Sequence, residues 1–145
     1  MAARRVEIAS GLLGAILGVA GWLWGVFGPI YAAGTYNTGP DTDPVTVYGT
    51  SNLAQASDLW SGPAFYLGAL LICMAALGIG SYLHGRRGVS AGLPIVWTAT
   101  AFLVAGVLLS VYTIGPFIAP AAALAVVASI AGQRAERALH DVRAA

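Results

Sequence analysis

Four stretches of this chain, about 6–33, 63–83, 93–114 and 116–132, run almost without a charge. A helix needs about 20 predominantly apolar residues to cross the hydrocarbon of a bilayer, with a range of about 17 to 25. In lipid every backbone N–H and C=O has to be bonded within the protein, which is why spanning segments of this kind are helical. Composition agrees with that reading. Only 9% of the residues are charged, against about 25% in soluble domains, and so few charges cannot cover a water-facing surface. The expectation is an all-α integral membrane protein: a four-transmembrane-helix up-down bundle forming one domain. Its 28-residue outer loop covers 34–61 and its tail covers 133–145. The lipid bilayer is its first partner, and nothing in the charge pattern points to nucleic acid.

The arginines set the expected orientation. The chain has no lysine, and its seven basic residues are Arg4, Arg5, Arg86, Arg87, Arg134, Arg137 and Arg143. They flank the start of the first stretch, the link between the second and third, and the end of the fourth. The 34–61 loop holds Asp41, Asp43 and Asp58 but no arginine, and the Gly115–Pro116 turn holds no charge. By the positive-inside rule, the N- and C-termini and the middle link are expected in the cytoplasm, in a cell (inner or plasma) membrane. The first stretch is read as a retained span and not as a signal peptide. Its apolar run exceeds the about 7–15 residues of a signal core, and "PIYAAG" is a poor cleavage site.

The first stretch also carries a row of glycines. Gly11, Gly14, Gly18, Gly21, Gly25 and Gly28 recur at spacings of three and four. At 100° per residue they fall in roughly one 100° stripe, opposite Leu12, Ile16, Leu23 and Phe27. In water, six glycines in place of alanines would cost a helix about 6 kcal/mol at about 1 kcal/mol each. Small residues let helix backbones approach closely, and dense contact drives association where hydrophobicity cannot. The row is therefore expected to be a helix-packing seam, facing its own bundle or a second copy. The near-3.5 spacing favours a shallow, left-handed crossing.

The outer loop begins with turn residues: Asn37, Gly39, Pro40, Asp41, Asp43 and Pro44. "VTVYGT" then alternates branched and polar residues, which predicts a short strand or hairpin over about Val45–Thr50. Asp41 and Asp43 could offer oxygens to a cation, but a calcium loop needs about six to eight at defined spacing. Turn-forming aspartates explain them, and no metal or cofactor is expected. Pro63 fits the first turn of the second span.

Catalytic chemistry is hard to find. There is no Ser-His-Asp set, no paired carboxylates at mid-span and no phosphate loop, so the chain is not expected to be an enzyme. Intramembrane ionisable groups mark proton and ion pathways, and the middle of each span lacks them. Glu7 lies near the start of its span beside Arg4 and Arg5 and reads as an interfacial ion pair. His84 beside Arg86 and Arg87 reads as an interfacial residue. Cys73, the single cysteine, reads as a small packing residue. Thr98, Thr100, Ser110, Tyr112 and Thr113 could line a polar track, although hydroxyls in membrane helices usually bond to backbone.

Four spans, inside termini, a long first outer loop with strand character and a short second one resemble the claudin-type tetraspan layout. The resemblance is of layout alone. The cysteine pair that it implies in the loop is missing, and no residue roles carry over. Two functions fit. One is a structural or accessory/assembly component that packs through glycine seams, with itself or within a larger membrane complex. The other is a homo-oligomeric pore or carrier for a small neutral or lipophilic solute.

Overall fold

The computed structural model describes residues 2–29, 31–32, 35–36, 45–46, 50–51, 63–112 and 114–144. Four helices dominate them: α1 (Ala2–Phe27), α2 (Pro63–Arg87), α3 (Gly92–Leu109) and α4 (Gly115–Ala144). Each contains a segment long and apolar enough to cross a membrane. Between α1 and α2 the described backbone comprises four two-residue extended pieces. Tyr31–Ala32 (β1) pairs antiparallel with Thr50–Ser51 (β4), and Thr35–Tyr36 (β2) with Val45–Thr46 (β3). The Asn37–Pro44 turn residues and Asp58 lie outside the described residues, as do 47–49 within the expected strand or hairpin.

Helix ends depart from the apolar runs for local reasons. α1 stops at Phe27 although the apolar run continues to 33. Pro29 disfavours the α conformation at Gly28, whose N–H makes the closing bond to the Trp24 carbonyl at 2.7 Å. α2 runs past 83 to Arg87 and ends on Gly88, which adopts φ +67°. The Gly88 N–H bonds back to the His84 carbonyl at 3.1 Å, a left-handed cap that favours glycine. α3 ends at Leu109, short of the expected 114. The next residue, Ser110, turns both its N–H and its hydroxyl onto the Gly106 carbonyl, a local bond that competes with helix continuation. At 1.5 Å per residue α3 is about 27 Å long and α4 about 45 Å, so α4 extends well beyond a hydrocarbon core of about 30 Å.

α1 packs between α2 and α4, and α3 packs between the same two helices on the other side. Neighbours meet in reverse numerical order. Along α1, Gly11, Gly18 and Trp22 meet Ser81, Met74 and Leu67 of α2. Gly14, Gly18 and Gly21 meet Leu124, Ala121 and Phe117 of α4, and Gly25 meets Ile114, the residue before α4. Gly80 lies against Val96 of α3, and Tyr66 of α2 reaches Gly106.

The interior holds Met74, Leu77, Val96, Leu103 and Ile118, with Ala121, Ala125 and Ala128 along α4. Bulky apolar side chains also lie outside: Ile16, Phe65, Ile72, Leu108 and Leu109 are all more than half exposed. A monomer in water rarely shows apolar patches beyond a few hundred Å². An outer surface of large apolar side chains is the arrangement that suits a body surrounded by lipid.

Candidate functional site

Glu7 stands four residues before Gly11 and so continues the glycine row by one turn. The row faces α2 and α4, and the carboxylate is carried inward with it. Glu7 is 0% exposed. On α2, Leu77, Ser81 and His84 recur at the same three-and-four spacing and face α1. His84 Nδ1 lies 2.7 Å from Glu7 Oε1, a distance typical of a charge-assisted bond.

Glycines from three helices make room for the pair. A Cβ on Gly11 would collide with the Ser81 side chain. One on Gly132 of α4 would lie 2.9 Å from Glu7 Oε1, and one on Gly92 of α3 would lie 2.7 Å from His84 Cβ. Ser10, one turn along α1, donates its hydroxyl to the Val6 carbonyl at 2.6 Å. Arg4 and Glu136 are the other charges acting on the carboxylate, with opposite signs. Two buried oxygens, Glu7 Oε2 and Ser81 Oγ, have no hydrogen-bond partner.

These positions correct the expected ion pair of Glu7 with Arg4 and Arg5: Glu7 and His84 are both buried and bonded to each other. The hydrogen-bonded partner of Glu7 is His84 and not Arg4 or Arg5, because the helix period turns Glu7 inward with the glycine row; Arg4, one turn back, acts on it as a nearby charge. The signal was present in the spacing 7, 11, 14, 18 and in the matching 77, 81, 84.

The glycine row itself divides between two neighbours. Gly11 faces α2, Gly21 faces α4, Gly25 faces Ile114 just before α4, and Gly14 and Gly18 touch both helices. Gly28 differs, since a Cβ there would meet only Trp24 of its own turn. The possible polar track is not brought together. Thr100 is buried, 2.7 Å from the Val96 carbonyl and 2.8 Å from Ser129 Oγ, which in turn reaches the Ala125 carbonyl at 2.9 Å. Thr98 is exposed in an apolar groove with Ile72, Cys73, Ile95 and Phe102. Ser110 is held by Gly106, Tyr112 is 97% exposed, and Thr113 lies outside the described residues.

The arginines share one end of the bundle. Arg4 and Arg5 precede Glu7, Arg86 and Arg87 follow His84, and Arg134 and Arg137 follow Gly132; Glu7, His84 and Gly132 meet. Arg86 also stacks on Tyr82, 5.6 Å from the ring centroid. The Arg143 side chain lies outside the described residues. Among the described residues no three His, Cys, Asp or Glu side chains converge to hold a metal. The chain matches no protein-family model, no curated protein and no solved structure.

Proposed function

We propose that this protein is a structural or accessory component of a cell membrane. In this reading it is an up-down-up-down bundle whose N- and C-termini and basic end face the cytoplasm. The two pairs of extended pieces, 31–32 with 50–51 and 35–36 with 45–46, then lie on the opposite side. The reverse order of contacts between neighbouring helices supports the alternation, and the shared arginine end supports the orientation through the positive-inside rule.

The observation that carries the functional reading is the closed seam of α1. A carrier site is a concave space of about 300–1,000 Å³ with a few convergent polar groups. Here α2 and α4 press Met74, Leu77, Phe117 and Ala121 onto the glycines, and the Thr100 and Ser129 hydroxyls are bonded to backbone. The glycine row is spent within the chain, so contact with a partner falls to the outer apolar surface.

Gentle detergent extraction followed by native mass measurement tests this. Co-purification with fixed membrane partners, or a stable association with itself that conducts nothing, is the expected result. A ring of copies that passes a small solute in liposomes would replace this reading with that of a pore. Orientation is checked separately by placing a cysteine at Ala138 in a Cys73→Ala background. An impermeant thiol reagent should reach it only after the cells are opened.

A further inference from the structure

Packing accounts for most of the Glu7–His84 site but not for its two unpartnered oxygens. A buried acceptor without a donor is costly, and more so when charged. Ser81 sits one turn before His84 on α2 and against Gly11, itself one turn beyond Glu7 on α1. Its hydroxyl is therefore the next polar group along the same seam. We propose that Glu7, Ser81 and His84 form a proton-binding site at the basic end of the bundle, loaded through His84.

The donor set selects the ligand. A hard metal cation wants about six or more oxygens, and this seam offers two free ones. A proton needs only a bearer and a neighbour to complete its bonding. His84 keeps 7% of its side chain exposed while Glu7 keeps none, so exchange with the outside runs through the imidazole. An arriving proton adds to the Nε2 lone pair and gives an imidazolium. Its Nδ1 proton then passes along the 2.7 Å bond to Glu7 Oε1. The products are a neutral imidazole protonated at Nε2 and a neutral carboxylic acid, and the cluster has gained one positive charge overall. Oε2 is then the carbonyl oxygen of the acid. Ser81, the next polar group along the seam, makes no direct bond to it, so its O–H reaches Oε2 through one bridging water, which satisfies both orphan oxygens.

The charged groups facing the site are His84 from α2, Arg4 from α1 and Glu136 from α4, while α3 contributes Gly92 and Leu93. Beyond the site the seam is apolar. Gly14 meets Leu77 and Leu124, and Gly18 meets Met74 and Ala121. The site has one entrance and no continuation, which makes it a receptor for protons and not a path across the membrane.

Infrared difference spectra of the full chain in phosphatidylcholine–phosphatidylglycerol vesicles test this on acidification. The wild type should gain a protonated-carboxyl carbonyl band that is lost in Glu7→Gln. In Ser81→Ala the band should persist but move to higher frequency, because the carbonyl has lost its donor. Identical spectra for wild type and Glu7→Gln would overturn the proposal, as would an unshifted band in Ser81→Ala. Should Glu7→Gln fail to assemble, the Ser81→Ala shift decides alone, since that change removes one oxygen from a small side chain. Proton leak in wild-type vesicles should equal that of empty ones, and a faster leak would overturn the single entrance.

Discussion

The seam where α1 meets α2 and α4 buries polar atoms differently from the seam between α3 and α4. At the second, Thr100 and Ser129 lie 2.8 Å apart, and each hydroxyl reaches a carbonyl one turn back in its own helix. A hydroxyl can do this anywhere in a helix, so its burial requires nothing from the rest of the fold. At the first, the carboxylate of Glu7 has no such local option, because a helix carbonyl cannot donate to it. It depends on His84, brought from 77 residues away, and even then one oxygen is left over. Ala99, Ala125 and Ala128 are buried along the middle of the α3–α4 seam, whereas three helices contribute glycines around Glu7 and His84. Polar groups that satisfy themselves are structural by default. Those that need the fold to satisfy them mark where the fold has been shaped around chemistry.

The largest expected effect breaks the α1 seam outright. Gly21→Leu would drive its Cβ into the backbone carbonyl of Phe117, which cannot rotate away. Overpacking of this kind costs about 1–3 kcal/mol and sometimes more, and Gly21→Leu should fall at or above the top of that range. Thermal unfolding in detergent should show it. Gly18→Ala is the control, for there the added methyl meets the side chains of Ala121 and Met74 at 3.0 Å. A methionine can swing aside, and the loss should be far smaller. Equal losses would mean that backbone approach is not what the row provides.

The next prediction concerns the charge in that seam. His84→Ala removes the partner of a fully buried carboxylate and should cost about 3–5 kcal/mol. Adding Glu7→Gln to it should recover most of the loss, since a neutral amide needs no counter-charge. Denaturation with increasing ionic detergent reads both. If His84→Ala proved harmless at a pH where the carboxylate is ionised, Glu7 would be reaching water and the contrast between the seams would disappear.

How far the sequence carried this picture follows from the range of each signal. Four helices able to span a membrane were legible because apolar length is a local property. The face of α1 was legible because spacing reports on a single helix. The partner of Glu7 was not, because the pattern of charges shows Arg4 and Arg5 beside it and says nothing of α2. Reading the row one turn further back, from Gly11 to Glu7, would have placed the carboxylate on the packed face. Thr98 and Thr100 make the reverse point. Two residues apart on a helix means about 200° around it, so they were never able to share one track, and only Thr100 faces α4. The apolar run to 33 passes beyond the end of α1, where Gly28–Pro29 stands in the sequence as the local stop.

The α3–α4 seam predicts a smaller change. Thr100→Val keeps the shape and removes the hydroxyl, leaving Ser129 its own carbonyl at 2.9 Å. Hydrogen bonds between membrane helices are worth about 0.6 kcal/mol on average and about 1.7 at most. The same denaturation should show a loss in that interval. A cost near that of His84→Ala would mean the two hydroxyls are a demanding network and not a self-satisfied pair.

The smallest effect is expected where a glycine serves neither seam. Gly68 lies in α2, yet a Cβ built on it meets nothing within 4 Å. Alanine there removes no contact and adds helix propensity, worth up to about 1 kcal/mol in water and less in lipid, where an unbonded backbone is no alternative to the helix. Gly68→Ala should leave the unfolding midpoint unchanged or raise it slightly. The comparison that matters is with Gly18→Ala, the same substitution at the same kind of position in a membrane helix. If neighbouring backbones and side chains give the α1 row its value, the two must differ in sign or nearly so. A loss at Gly68 equal to that at Gly18 would assign the effect to glycine within the helix itself, and close packing would no longer separate α1 from its neighbours.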